Sequence, residues 1–368
     1  MKSRGKVMGS FARAALAVLS LCAWGAIANA EPYIAVQQGL ACGQCHVNPT
    51  GAGMRNAVGN AFAQGALPAN HVDTGDFVWT GAINKYIAMG GDFRADANWT
   101  NPSAASTSLN TEQARLYLGV SLIPDRVLLY IDEQLAPGAA GNREAWALYR
   151  FGEDKWYLKA GHMVLAYGLR LQDQQAFIRQ VAGINMDSPD DAIELGYRAG
   201  LWDAQLAISN GNGLAGTPPT SNGKQYTLQV ARIRDTWRIG VGANFNDDSA
   251  NRSSAACLFA GLRTGPVSWL AEVDAVNSKP PAQGTQRVAA SLLEANWLIV
   301  RGLNLKLTTE FLQPNRDHGG NLQTRFSLVG EYTPMQYLQL RLGARALDDN
   351  SSQYQSVNQA FIEVHAYF

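Results

Sequence analysis

Cysteine is scarce in this chain: four in 368 residues. One of them, Cys22, lies in the first thirty residues, so Cys42, Cys45 and Cys257 are all that remain beyond them. Three thiols cannot staple a chain of this length, which excludes a disulfide-built extracellular scaffold. Long apolar runs are missing too. Beyond residue 30 none reaches the roughly eighteen residues that a membrane helix needs, so no transmembrane helix is expected. A soluble protein and a strand-built membrane protein both stay open. Charge of one sign is the third absence, with 30 basic and 30 acidic residues. Without the four basic residues of the first thirty, 26 basic stand against 30 acidic. Such a chain lacks the basic face that a nucleic-acid partner requires.

Residues 1–30 read as a secretory signal peptide. Lys2, Arg4, Lys6 and Arg13 form a basic start, Ala14 to Trp24 an apolar core, and Ala28-Asn29-Ala30 a small-residue cleavage site. Cys22 follows a bulky Leu21, which argues against a lipid-anchored cysteine. The remaining chain divides into a small segment, 31–78, and a long one, 79–368.

The long segment alternates with period two. In "YLQLRLGARAL", Leu338, Leu340, Leu342, Ala344 and Ala346 alternate with Gln339, Arg341, Gly343 and Arg345. "GLNLKLTTEFL" sets Leu303, Leu305, Leu307 and Phe311 against Asn304, Lys306, Thr308 and Glu310. Alternation of this kind means strands with one apolar and one polar face. Sixteen such segments run from 86–98 and 112–123 to 355–368. Most have about 9 to 13 residues, a length that crosses a bilayer at a tilt. Their connections alternate short ("IPDR", "GEDK", "TGP") and long ("TNPSAASTSLNT", "NGNGLAGTPPTSNG"). Short turns on one side, long loops on the other and an even strand number are the signs of an outer-membrane barrel. The expected fold is all-β: an antiparallel transmembrane barrel of about sixteen strands with a small N-terminal helical plug. A soluble sandwich or propeller is the competing reading, but it needs no such rhythm of turns. Phe368, ending a strand in "VHAYF", resembles the terminal aromatic signal of outer-membrane barrel assembly.

The chemistry lies in the small segment. Cys42-Gly43-Gln44-Cys45-His46 is a C-x-x-C-H that occurs once. Two thiols at this spacing suit thioether bonds to the two vinyl groups of a haem, and the adjacent imidazole suits the proximal iron position. A zinc site would need a second ligand pair, and a thioredoxin-type pair a βαβ context; neither is present. One covalently attached haem c is therefore expected. After "NPTGAG", a turn cluster, Met54, Val58, Ala61 and Phe62 recur at helical spacing. The segment is too small to bury its own core, so it should lean on the barrel, at its mouth or in its lumen.

For the distal iron position Met54 is the first expectation and His71 the second, with an open position as the third. The competing readings are a core methionine and a loop histidine. His365 would face the lumen near the same end; His162 and His318 read as strand and loop residues. The third long loop, 167–191, carries helical spacing in Leu171, Phe177, Ile178 and Val181. In general porins the third outer loop folds inward, which here would carry Arg170, Asp173, Arg179 and Asp187 into the pore; an external cap is the alternative. Cys257 shares its strand face with Arg263, which suggests the lumen, and has no role in this reading.

Signal peptide, monohaem segment and sixteen-strand barrel together resemble the fused cytochrome–porin proteins of Gram-negative outer membranes. That resemblance implies electron transfer through one haem, held by Cys42, Cys45 and His46. Its partners would be outer-membrane lipid, a periplasmic electron-carrier cytochrome, and an extracellular donor or acceptor such as ferrous iron, which would make the chain an iron oxidase. "VNPTGAGMRNAVGNAFAQG" lacks the Phe-Pro and Phe-Gly features of the iron-oxidising members, so the donor stays open. Two other readings compete. One is a solute porin with a haem-containing plug or redox gate. The other is a haem enzyme such as a peroxidase, which would need a distal base that only His71 offers.

Overall fold

The computed structural model describes residues 31–75, 77–101, 107–138, 140–173, 175–184, 188–211, 222–247, 252–279, 285–317, 321–349 and 356–368. Residues 1–30, expected to be a signal peptide and containing Cys22, lie outside them together with Asp187 and His318.

Sixteen strands form one closed antiparallel barrel in which each strand pairs with its sequence neighbours. They are β1 (Ile87–Asn101), β2 (Thr107–Ile123), β3 (Val127–Ala136), β4 (Gly141–Phe151), β5 (Trp156–Met163), β6 (Asp190–Ala199), β7 (Trp202–Ser209) and β8 (Gln225–Ile233). The second half comprises β9 (Trp237–Asn246), β10 (Arg252–Thr264), β11 (Val267–Lys279), β12 (Gln286–Val300), β13 (Leu303–Gln313), β14 (Gln323–Tyr332), β15 (Leu338–Asp349) and β16 (Val357–Tyr367). Closure comes from β1 against β16, in register from Asp92 opposite Tyr367 to Asn101 opposite Asn358. No strand edge is left unpaired, the condition for a sheet in hydrocarbon.

The polarity of the barrel is inverted. Leu206, Val241 and Leu307 point outward at 47%, 51% and 55% exposure, while Lys159, Glu194 and Glu310 are fully buried inside. A soluble sandwich would bury the first set and expose the second, so the alternation fits lipid outside and a polar lumen. Aromatic side chains gather where the short turns begin and end: Tyr149, Phe151, Trp156 and Tyr197 form a continuous ring contact, with centroids 4.5–6.5 Å apart. Aromatic girdles mark the interfacial level of such barrels. Among the described residues no helix is long and apolar enough to cross a membrane.

The lumen is filled from the short-turn end by residues 31–75. Helix α1 (Pro32–Gln38) starts on a proline and ends at Gly39 in the left-handed conformation. It lies against β10 and β11, where Arg263 donates to the Gln37 carbonyl at 2.8 Å and Ser268 to the Gln37 side chain at 2.6 Å. A short 3-10 turn, Cys42–Gln44, follows, then a hairpin in which the Val47 N–H donates to the Met54 carbonyl at 2.9 Å. Helix α2 (Ala57–Gly65) is capped by Asn56, whose side chain accepts from the Gly59 N–H at 3.0 Å. The segment leaves along the turn after β14, with Ala69 bonded to Thr333 and Val72 to Gln336.

The third long connection also folds inward. Between β5 and β6 the chain crosses the lumen, carrying helix α3 (Phe177–Val181) against β11, β12 and β13. Asp173 bonds Arg325 at 3.1 Å and Arg345 at 3.0 Å on the far wall. The loop is thus a constriction and not an external cap, and its Leu171, Phe177 and Ile178 are buried.

Candidate functional site

Cys42, Cys45 and His46 all border one internal cavity between the plug, the inward loop and the wall of β7–β10. The Cys45 and His46 N–H groups both reach back to the Cys42 carbonyl, at 3.2 and 3.0 Å, so the motif is one tight turn. Both thiols are free and half-buried. Burial, and then the neighbouring Cys42, raises the Cys45 thiol above its ordinary pKa. Apolar side chains dominate the lining: Ile34, Leu40, Phe62, Leu169, Ile233 and Phe259. The cavity volume is about 120 Å³, below the roughly 300–1,000 Å³ typical of small-molecule sites.

His46 is buried, and burial followed by the Arg55 charge lowers its pKa to about 3. It is therefore neutral at physiological pH, the form in which imidazole binds a metal. Its Nδ1 is buried without a hydrogen-bond partner. An ordinary core histidine is satisfied on the ring; this one has a nitrogen to spare. Two cations border the same cavity: Arg170, which donates to Thr50 Oγ1 at 2.7 Å and to the Gly51 carbonyl at 2.8 Å, and Arg238, which donates to the Leu40 carbonyl at 2.7 Å. Paired thiols, a neutral imidazole, an apolar lining and two peripheral guanidiniums match a porphyrin with its two carboxylates in chemistry, in a cavity smaller than that group.

The other expected ligands are not brought to this cavity. Met54 is buried against the wall, where its side chain fills the gap left by Gly90 and Gly119: a Cβ on Gly119 would stand 2.9 Å from the Met54 methyl. Tyr130 holds its backbone in place, accepting from the Met54 N–H at 3.1 Å. His71 is exposed at the short-turn mouth. His365 faces the lumen as expected but is engaged there, with Nε2 2.7 Å from Asp92 and Nδ1 3.3 Å from Gln339. His162 pairs with Asp191 at 2.9 Å on the wall. Among the described residues, His46 is the only histidine or methionine lining the cavity.

The anchors of the plug had no sequence signal. Asn48, fully buried, donates to both oxygens of Glu144 at 3.1 Å and accepts from Lys159 at 3.4 Å. Glu31 pairs with Lys306 at 3.1 Å, and Arg198 donates to the Pro49 carbonyl at 3.0 Å. Each is one member of a pair whose partner is 96 or more residues away. On the other side of His46 runs a second, polar space of about 160 Å³, bordered by Arg55, Asp92, Arg94, Arg115, Arg341 and Glu363.

No protein-family model matches the chain, and no curated protein matches it in sequence. Solved structures do match. A loop-deletion mutant of OmpT, an outer membrane protein of Vibrio cholerae, superposes with a TM-score of 0.64 at 12% identity, over 77% of this chain and 99% of that one. The fold is that of a sixteen-strand outer-membrane porin. An anion-selective porin from Comamonas acidovorans matches at a TM-score of 0.60 and 12% identity, over 77% of this chain and 99% of that one. The outer membrane channel DcaP of Acinetobacter baumannii matches at 0.58 and 13%, over 77% and 97%. At these identities the porin-like likeness concerns the fold alone.

Proposed function

We propose that this chain is a porin-like barrel of a Gram-negative outer membrane that holds one covalent haem c in its plugged lumen and passes electrons across that membrane. The observation that carries this reading is the common cavity of Cys42, Cys45 and His46 inside a lumen blocked by both the plug and the inward loop. Cys42 and Cys45 would hold the haem by thioether bonds, and His46 would bind its iron. The bound group supplies reversible one-electron exchange. Ile34, Leu169 and Phe259 keep water from it, while Arg170 and Arg238 stand ready for its carboxylates. A hydrocarbon layer of about 30 Å separates the two aqueous sides, so a carrier within the lumen shortens the path for an outer donor or acceptor, such as ferrous iron, and for a periplasmic cytochrome at the short-turn mouth.

The test begins with c-type maturation in the host. The expected product keeps its haem through acid–acetone extraction and shows reduced c-type bands when ferrous iron or dithionite is added anaerobically. Reduction by dithionite alone would remove ferrous iron as donor; a haem-free, folded barrel would remove the haem reading.

A second reading is a solute porin whose plug is a redox gate. The polar, charge-lined space of about 160 Å³ beside the plug favours it, as does the likeness to porins and channels. Planar-bilayer recordings separate the two. Steady conductance that responds to the oxidation state of the haem supports the gate, and a closed pore in both states supports the electron carrier.

A further inference from the structure

A second cluster of ligand-type side chains lies in the lumen wall, away from the C-x-x-C-H. The register of β10 and β11 sets Cys257 directly opposite Asp274, and Glu272 stands on the same inward face two residues earlier. One ligand atom from each of the three falls within 4.8 Å of the others, and all three residues are buried.

The surroundings are shaped to hold them. Gly242 faces Cys257 across β9, and a Cβ there would stand 2.6 Å from the Cys257 sulfur and 3.3 Å from the Tyr167 ring. Gly168, at φ +58°, lays bare backbone over Glu272, whose Oε1 would be 2.0 Å from an added Cβ. From the inward loop, Tyr167 donates its hydroxyl to Asp274 Oδ1 at 3.1 Å, and the Leu169 N–H donates to Glu272 Oε2 at 2.5 Å. The remaining oxygen, Asp274 Oδ2, is buried with no N–H or O–H donor against it among the described residues, in a residue only 4% exposed whose neighbour is the Glu272 carboxyl.

Charge sets the cluster apart. Most other buried lumen carboxylates face a cation: Glu194 meets Lys159 at 2.9 Å, Glu331 meets Lys306 at 3.3 Å, Glu363 meets Arg341 at 3.1 Å and Asp92 meets Arg94 at 3.0 Å. Asp190, with no ion pair among the described residues, accepts from the Gly211 N–H at 2.6 Å. No ion pair reaches Glu272 or Asp274 among the described residues. Arg179 acts on Glu272 only through space, and its Nη1 donates to the Leu171 carbonyl at 2.7 Å. Two buried carboxylates side by side with no cation bonded to either are unfavourable unless a proton or a metal joins them.

We propose that Cys257, Glu272 and Asp274 bind one divalent transition-metal ion of the zinc class, which fastens the inward loop to the barrel wall. One sulfur and two carboxylate oxygens, with the Tyr167 hydroxyl or water as the fourth donor, make a tetrahedral set. Tetrahedral bonds of 2.0–2.3 Å put donors about 3.5 Å apart, so the side chains close in by about an ångström. The thiolate selects against magnesium and calcium, which prefer oxygen donors throughout. On binding, the Cys257 thiol gives its proton to water as the S–metal bond forms, and the carboxylates release any proton they share. The site does not depend on the haem reading.

The full-length protein, purified in detergent and stripped with chelator, is titrated with Co²⁺ as the probe. The titration is repeated in a Cys42→Ser, Cys45→Ser double variant, where Cys257 is the only thiol of residues 31–368. The expected result in both is one cobalt per chain with thiolate-to-cobalt charge-transfer absorption in the near ultraviolet. Zinc displaces the cobalt one for one, as read by native mass spectrometry. Cys257→Ser abolishes the absorption and weakens binding at least tenfold; Asp274→Asn, which keeps size and shape, weakens it too. Heat-modifiable gel migration confirms that each barrel is folded, and Glu272→Gln replaces any variant that is not. Absence of stoichiometric binding, binding unchanged in Cys257→Ser, or a signal lost in the double variant overturns the proposal.

Discussion

His46 and Met54 stand eight residues apart on the two arms of one short hairpin, yet they meet different surroundings. The imidazole borders the internal cavity, whereas the thioether fills a slot made by Gly90 and Gly119 on the wall. The C-x-x-C-H was legible as a motif because its three residues are neighbours in the chain. The seat of Met54 was not, because it is created by glycines on two strands far along the chain. The two residues therefore predict opposite mutant behaviour. Met54→Leu, a volume-conserving change, should cost less than about 1.5 kcal/mol and leave the visible spectrum and potential of the haem unchanged. A drop in potential would show that Met54 reaches the iron. The Cys42→Ala, Cys45→Ala double change should instead give protein whose haem is extracted by acid–acetone, since both thioethers are lost. His46→Ala should shift the reduced bands, because the iron changes ligand.

The strands were the most legible elements, since a period of two with one lipid-facing side leaves little choice of register. β2 was the main difference: it begins at Thr107, five residues before the apolar alternation starts at 112. There the hairpin with β1 is wet on both faces, with Asn110 donating to Asp96 at 3.0 Å and Leu109 82% exposed, so no alternation marks it. This difference is measurable. Leu206→Arg, mid-strand on β7, should destabilise folding into liposomes by about 2–4 kcal/mol, and Leu109→Arg, beyond the belt, by about 0–1 kcal/mol. Equal effects would mean that the apolar face of β7 does not meet lipid. For the inward loop, the sequence carried its length and helical spacing but not its anchors, because Asp173 meets Arg325 and Arg345 only after the barrel has closed. Asp173→Ala removes the loop's ion pairs to that wall, while Arg325 keeps Glu310 as partner and the Phe177 N–H keeps its bond to Glu310 at 2.8 Å. Single-channel conductance should rise, and an unchanged value would show that the loop does not set the constriction.

Barrel and plug depend on each other unequally. The barrel closes through its own hydrogen bonds, β1 to β16, and its buried charges are largely paired within the wall: Lys306 with Glu331, Lys159 with Glu194, and Arg341 with Glu363. The plug, by contrast, has little core of its own, and its polar groups end on barrel partners: Asn48 on Glu144, Glu31 on Lys306 and Tyr33 on Glu331. The sequence left the plug at the mouth or in the lumen, because these pairs join residues about a hundred to three hundred positions apart. Deleting residues 31–78 should thus leave a barrel that folds and shows heat-modifiable migration, since water replaces the plug as partner for the polar lumen. It should conduct several-fold more than the full chain and carry no haem. The plug segment alone should be unfolded by circular dichroism, lacking both its core and its partners. A deletion protein that folds yet conducts no better would mean that the inward loop alone closes the pore, and the plug would then serve to position its thiols and imidazole, not to block solute.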